Sequence, residues 1–390
     1  MKKLFVLSIF ICLLLPSVVW AEEEVLTKEK IIQSQIEKLE LSELQEIMEV
    51  VNSDLEEYMP KIEFKKLILQ ILKGEKVVSF DDIIRGSLGI LFREIIANWK
   101  LLTQIIVLAS ISSILQNLQS AFENEVISKL AYNVSYLVII SITIKSFIIA
   151  INIGIGTIDV MVNFMQALMP VLLAILIAIG GITTSAFLHP ILLASIGFIG
   201  TIIKNLIFPL ILFSAVLSIV NNLTSKIQVT KLAALLKQSA VVILGFVLTV
   251  FIGVISIQGI TASTVDGVTI RTAKFAVDKL IPIVGGFLSD AMNTVIGCSL
   301  ILKNAIGAIG LFSIFILCLV PMIKILALIA VYKLCAAVIE PISEGNLVDC
   351  LNGMSNSLVL LFAIVSSLAI MFFITITIIV STGNITLMMG

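Results

Sequence analysis

An all-α, polytopic helical membrane protein is the fold class this sequence predicts, with two related halves in the membrane and a small exported helical segment ahead of them. Three observations carry that expectation. The 390 residues are 59% hydrophobic and 13% charged, with a mean hydropathy of +1.16, whereas soluble domains carry about 25% charged residues. Apolar stretches near or above the roughly 20 residues that cross a bilayer recur from residue 101 almost to Gly390. The charges are segregated: residues 22–98 hold 17 acids and 10 bases, and residues 99–390 hold only 9 and 13.

The first element is a leader. Lys2-Lys3 precede an apolar run from Leu4 to Leu15, and Pro16-Ser17-Val18-Val19-Trp20-Ala21 leads into Glu22-Glu23-Glu24. That order reads as a secretory signal over residues 1–21, with cleavage expected after Ala21. Its apolar core is too short to span comfortably. A retained anchor is the alternative, because Val19-Trp20-Ala21 is an imperfect cleavage site. On either reading, residues 22–98 are expected outside the cytoplasm.

That exported segment reads as three or four amphipathic helices. Ser42 with Gln45 forms a capping-box pattern, and Leu44, Ile47, Met48, Val51 and Leu55 follow on one face. A second helix groups Phe64, Leu67, Ile68 and Ile71 and is expected to stop at Gly74. A third opens at Ser79 and Asp82. It is expected to turn Ile83, Ile84, Leu88, Leu91, Phe92, Ile95 and Ile96 inward, with Arg85, Arg93 and Glu94 outward. Trp99-Lys100 marks a membrane interface. A segment of this length is marginal as an independent core, so a helical mini-domain and a partner-docking arm both stay open. The acid excess favours a protein partner over anionic lipid.

From residue 99 to 390 the chain reads as the membrane domain. Apolar segments lie near 101–119, 131–151, 160–182, 187–221, 239–257, 284–302, 304–332 and 357–381, which gives about seven to nine spans. The long stretches 187–221 and 304–332 contain interior prolines, so each is one kinked helix or a tight pair. Pro170 and Pro209 are 39 residues apart, as are Pro282 and Pro321. Between them, Ile196-Gly197-Phe198-Ile199-Gly200 matches Ile306-Gly307-Ala308-Ile309-Gly310. Two repeats are expected, about 160–257 and 275–381. An odd number of spans in each would invert the second relative to the first.

Lys145, Asp159, Asp290, Lys303 and Lys324 lie within or beside these apolar runs. A charge at a helix centre costs about 2.5–3.5 kcal/mol and turns to protein or water, unless it snorkels to an interface. They are the candidate pathway or packing charges, and Lys145, deepest by sequence, is expected to face inward. Asp290 and Lys303 are 13 residues apart, about 20 Å on one helix, so they pair only if the chain turns between them. In the polar passage 264–282, Arg271, Lys274 and Asp278 share a helical face, with Lys274 and Asp278 able to pair. It reads as a connector on the membrane surface, or as a candidate gate or docking helix.

Motifs for chemistry are scarce. The sequence has no G-x-x-x-x-G-K-[ST], H-E-x-x-H or G-x-S-x-G string. Gly154-Ile155-Gly156-Thr157-Ile158-Asp159 has two residues too many for the G-x-G-D pattern of intramembrane aspartyl proteases. Cys298, Cys318, Cys335 and Cys350 show no C-x-x-C spacing. His189 is the single histidine, stands before Pro190 and is expected at a loop or helix start. No catalytic residue, cofactor or metal is expected, and the absence of a basic tract argues against nucleic acid. Gly180-Gly181 and Gly285-Gly286 read as close packing or hinges.

The leader, the acidic helices, Pro282-Ile283-Val284-Gly285-Gly286, Gly297-Cys298-Ser299-Leu300-Ile301-Leu302-Lys303-Asn304 and Ser343-Glu344-Gly345-Asn346-Leu347 together resemble the stage III sporulation protein AE family of endospore-forming bacteria. The resemblance runs the length of the chain. It implies a non-enzymatic, multi-pass subunit of the channel apparatus between mother cell and forespore, with its N-terminal segment extracytoplasmic. It also implies partners: the other stage III sporulation A-operon proteins, including a secretion-type ATPase and ring-forming subunits, and stage II sporulation protein Q. A homo-oligomer is compatible with it. The alternative function is a self-sufficient secondary transporter using its repeats for alternating access; a structural anchor without a conduit is a third. The family supplies no agreed site residues to carry over.

Overall fold

The computed structural model describes residues 28–55, 63–73, 80–119, 125–223, 229–280, 284–342 and 345–389, and every regular element among them is helical. The leader, Gly74, Ser79 and Pro282 lie outside these residues. The chain divides into two compact units, Met1–Lys38 and Leu39–Gly390. The described element of the first is α1 (Lys28–Glu37). The second begins with three short helices: α2 (Ser42–Leu55), α3 (Phe64–Leu72) and α4 (Phe80–Ala97). Longer ones follow: α5 (Trp99–Gln119), α6 (Glu125–Ala178), α7 (Ile182–Ile202), a π-turn (Ile203–Ile207) and α8 (Phe208–Leu223). The chain closes with α9 (Thr230–Leu280), α10 (Val284–Ile339) and α11 (Gly345–Met389).

Among the described residues five stretches are long and apolar enough to cross a membrane, namely Val134–Ala178, Ile182–Val220, Thr230–Val277, Leu288–Ile339 and Gly345–Asn384, and a bent pair makes a sixth if it is one span. The count of seven to nine is therefore corrected. Polar punctuation at Asn152–Asp159 and at Lys303-Asn304 reads as breaks in hydropathy, but a polar side chain does not interrupt i→i−4 bonding, and one helix runs through each. At 1.5 Å per residue the 52-residue stretch reaches about 78 Å, well beyond the roughly 30 Å of hydrocarbon. The two expected repeats also differ in make-up. Residues 160–257 draw on α6, α7–α8 and α9, whereas 275–381 draw chiefly on α10 and α11.

Successive long helices alternate in direction. Gly200 of α7 faces Val162 and Ile158 of α6, and Lys303 of α10 meets Val380 of α11 while Ser355 of α11 meets Ile329 of α10. Glycines set the approach of the axes. A Cβ on Gly200 would lie 2.8 Å from Val162, and one on Gly310 would lie 2.6 Å from Leu168. The last glycine of both I-G-x-I-G strings thus presses against α6, a close-packing role typical of membrane helices. Gly154 is likewise packed, against Phe208.

The turn from α6 to α7 is built by Gly180. It adopts φ 93°, its N–H donates to Ile177 O at 2.9 Å, and Gly181 N–H donates to Leu176 O at 2.8 Å. This is the two-bond C-terminal cap that needs a left-handed residue. A Cβ at Gly180 would also fall 2.5 Å from Ile270 of α9. Gly180→Val is expected to cost about 2–4 kcal/mol through strain and overpacking, read as a lowered unfolding temperature in detergent. His189, expected at a loop or helix start, lies on an exposed position within α7, as does Pro190. The π-turn precedes Pro209, whose missing N–H and bulky ring disturb the preceding turn and are absorbed there.

In the N-terminal helices Leu44 and Met48 of the expected α2 face and Phe64, Leu67 and Ile68 of the expected α3 face are buried, Ile47 and Ile71 are half-buried, and the side chains of Val51 and Leu55 lie outside those described. These helices are not free-standing: α2 packs on α6 and α10, and α3 and α4 pack on α10. In α4 the expectation holds only in part: Ile83, Leu91 and Ile95 are half-buried, and Arg85 and Arg93 are exposed. Gly86 and Ile90 are buried, while Ile84, Leu88, Phe92 and Ile96 point outward. Burial against water would hide those side chains, but hydrocarbon accepts them as readily as a core does. Ile83–Ala97 and Trp99–Ile111 together pass as one apolar span bent by 42°. At the bend the Asn98 side-chain amide donates to Glu94 O at 2.8 Å.

Candidate functional site

Where α7 begins, two of its backbone N–H groups have no partner in their own helix. Asp266, on α9, supplies one. Its two carboxylate oxygens accept from Thr183 N–H at 2.9 Å and Thr184 N–H at 2.8 Å. Asp266 is 1% exposed, so a buried carboxylate is balanced by two peptide donors and the positive end of a helix. Asp266 is not among the charges that the sequence singles out. It stands in the polar passage 264–282 with no local sign of its role, because the residues it caps lie more than 80 positions earlier.

Lys303 stands at the same end of the bundle. It is wholly buried, and its ammonium donates to Val380 O at 2.7 Å and Asn384 Oδ1 at 3.2 Å. No carboxylate lies within ion-pairing distance of it among the described residues. Gly383 makes room for the ammonium: a Cβ there would collide with Lys303 Nζ and would also crowd Ile179 and Leu176 at the end of α6. Thr184 adds a buried hydroxyl with no hydrogen-bond partner among the described residues. A cavity of about 510 Å³ adjoins this layer, lined by Gly180, Ile182, Thr269, Ile270, Met292 and Val295 among others. The polar layer therefore joins α7, α9, α10 and α11 beside an open volume.

The other candidate charges are scattered. Lys145 is exposed on α6 rather than turned inward, because the opposite face of that helix, with Thr143, Phe147 and Ala150, is the one packed. Asp159, also on α6, pairs with Lys204 in the π-turn, and both remain partly exposed, at 46% and 29%. Lys204 was missed, since nothing in the sequence shows that a π-turn will carry it toward α6. Asp290 is exposed and Lys324 half-buried on α10. α10 continues without a turn from Asp290 to Lys303, so those two do not pair. Residues 264–280 do not form a separate connector; they are the end of the 51-residue α9. On it Arg271 is exposed and Lys274 half-buried, and the expected Lys274–Asp278 pair lies outside the described side chains. Cys298, Cys318, Cys335 and Cys350 are free and buried, and no cluster of metal-ligating side chains occurs among the described residues.

A family model described as Stage III sporulation protein AE (spore_III_AE) matches residues 62–383. The chain belongs to that family. Stage III sporulation protein AE of Bacillus subtilis (strain 168) is 38% identical over 368 residues, covering 94% of this chain and 92% of that protein. No solved structure matches the chain. The family match takes in α3 to α11, and with them Asp266, Lys303, Asp159 and Lys204. Membership places the chain in sporulation, and its apolar helices make it a multi-pass membrane protein.

Proposed function

We propose that this member of the stage III sporulation protein AE family is a non-enzymatic subunit of the channel apparatus between mother cell and forespore, with its bundle forming or gating the membrane passage. The observation that supports the reading is Lys303, an ionisable group sealed in an apolar bundle against neutral acceptors only. Intramembrane ionisable groups are costly and mark pathways or switches. This one holds α10 to α11 beside a cavity at the converging ends of four helices. The extracytoplasmic N-terminal segment, the ATPase and ring-forming partners, and stage II sporulation protein Q belong to the same proposal. Energy would come from the ATPase, because the chain carries no nucleotide-binding loop.

The test is purification from sporulating cells followed by transport measurements in liposomes. Co-purification with the ATPase and ring-forming subunits, with no solute uptake by the chain alone, is the expected result. Uptake driven by an ion gradient without partners would replace this reading with the self-sufficient transporter.

A further inference from the structure

A line of polar and small residues runs along the outer face of α6: Lys145, Asn152, Gly156, Asp159, Asn163 and Gln166, with Ile149 completing the 4-3-4-3 spacing. All are exposed or partly exposed. The π-turn adds Lys204 and the exposed Asn205 beside it. Asp159 and Lys204 each lie within about one helical turn of the midpoints of the stretches Val134–Ala178 and Ile182–Val220. The side-chain amides of Asn152, Asn163 and Gln166 make no hydrogen bond among the described residues, and neither does Lys145. An unpaired amide in hydrocarbon costs several kcal/mol, so such a band is not left facing lipid.

We infer that this face of α6 is the contact between neighbouring copies of the chain, packed side by side in the same orientation. The spacing is that of a helix-packing seam. Carboxamides both donate and accept, so identical seams satisfy each other without a differently charged partner. Gly156 sits at the seam's centre, and a Cβ there would meet nothing within 4 Å, which leaves room for a neighbouring axis to come close. Charge complementarity agrees. Each copy brings one acid and one base as a half-exposed pair, so the Lys204 of one copy can sit between its own Asp159 and that of its neighbour. At that level two copies alternate four charges, while Lys145, 14 residues before Asp159 and so about 21 Å away along the helix, stands apart from them. The inference is independent of the passage reading, since it uses the opposite face of α6 from the packed one and none of the residues around Lys303.

The experiment is cysteine crosslinking in native membranes with a mild oxidant. Asn152→Cys and Asn163→Cys are compared with Phe246→Cys, on the exposed apolar face of α9, and with the parent chain, whose described cysteines are buried. Disulfide-linked dimers from positions 152 and 163, above the level seen at 246 and in the parent, are expected. A water-soluble maleimide that labels 152 and 163 without any crosslink would overturn the inference in favour of a water-facing lane. Neither crosslink nor label would overturn it in favour of another covering protein or lipid. A second measurement guards against altered folding. Co-purification of two differently tagged copies is expected to fall by about tenfold in the Asn152→Leu, Asn163→Leu double variant. Lys303→Met placed in the Asn152→Cys and Asn163→Cys chains should leave their crosslinking unchanged, which separates failure of the contact from failure of the passage.

Discussion

Lys303→Met is expected to abolish sporulation-dependent transport while the bundle stays folded. Methionine keeps most of the apolar stem and removes the buried ammonium, so the desolvation cost disappears together with two hydrogen bonds. The Val380 carbonyl keeps its helical partner within α11, and only the Asn384 oxygen loses its donor. Those terms nearly cancel, and stability should stay within about 1–2 kcal/mol of the parent. Sporulation efficiency should fall on the order of a hundredfold if the ammonium acts at the passage. Efficiency is counted as heat-resistant spores, with membrane abundance followed by immunoblot and unfolding in detergent. A variant that sporulates normally removes Lys303 from the passage. One that disappears from the membrane makes it a structural residue only. Gly383→Ala should copy the loss, because the added methyl would occupy the place of Lys303 Nζ.

Asp266→Ala should give the largest loss of stability in the chain's membrane half. It strips two buried peptide N–H groups of their acceptor at the start of α7, each bond being to a charged group. We expect about 3–5 kcal/mol and a fall in unfolding temperature of roughly 10 °C, measured by thermal unfolding in detergent. Asp266→Asn retains one acceptor oxygen and should cost about half as much. Equal stability for all three chains would mean that α7 is capped by water instead.

Much of the architecture was legible beforehand because hydrocarbon imposes it. A chain this apolar has to satisfy its backbone internally, and helices are the open-ended way to do so. The inward faces of α2 and α3 followed from their spacing, since those helices pack on protein by one side. The face of α4 did so only in part, because α4 packs on α10 with Gly86 and Ile90 buried and leaves Ile84, Leu88, Phe92 and Ile96 exposed. The span count failed for a related reason. Hydropathy falls at Asn152–Asp159 and at Lys303-Asn304, yet the backbone bonding does not.

For the candidate site, sequence alone isolated Lys303 as an ionisable residue among apolar neighbours, and the bundle buried it. It also flagged Lys145, which the bundle left outside. Charge and hydropathy of a segment are local properties, readable from the order of residues. The side of a helix that meets another helix is decided by where Gly154, Gly200, Gly310 and Gly383 let axes approach. The residue that caps α7 comes from a helix more than eighty positions away. Membrane residence and helical class were therefore written in the sequence, through the cost of exposing peptide groups to lipid. The pairing of Asp159 with Lys204, the cap by Asp266 and the sealing of Lys303 were decided only when distant helices packed.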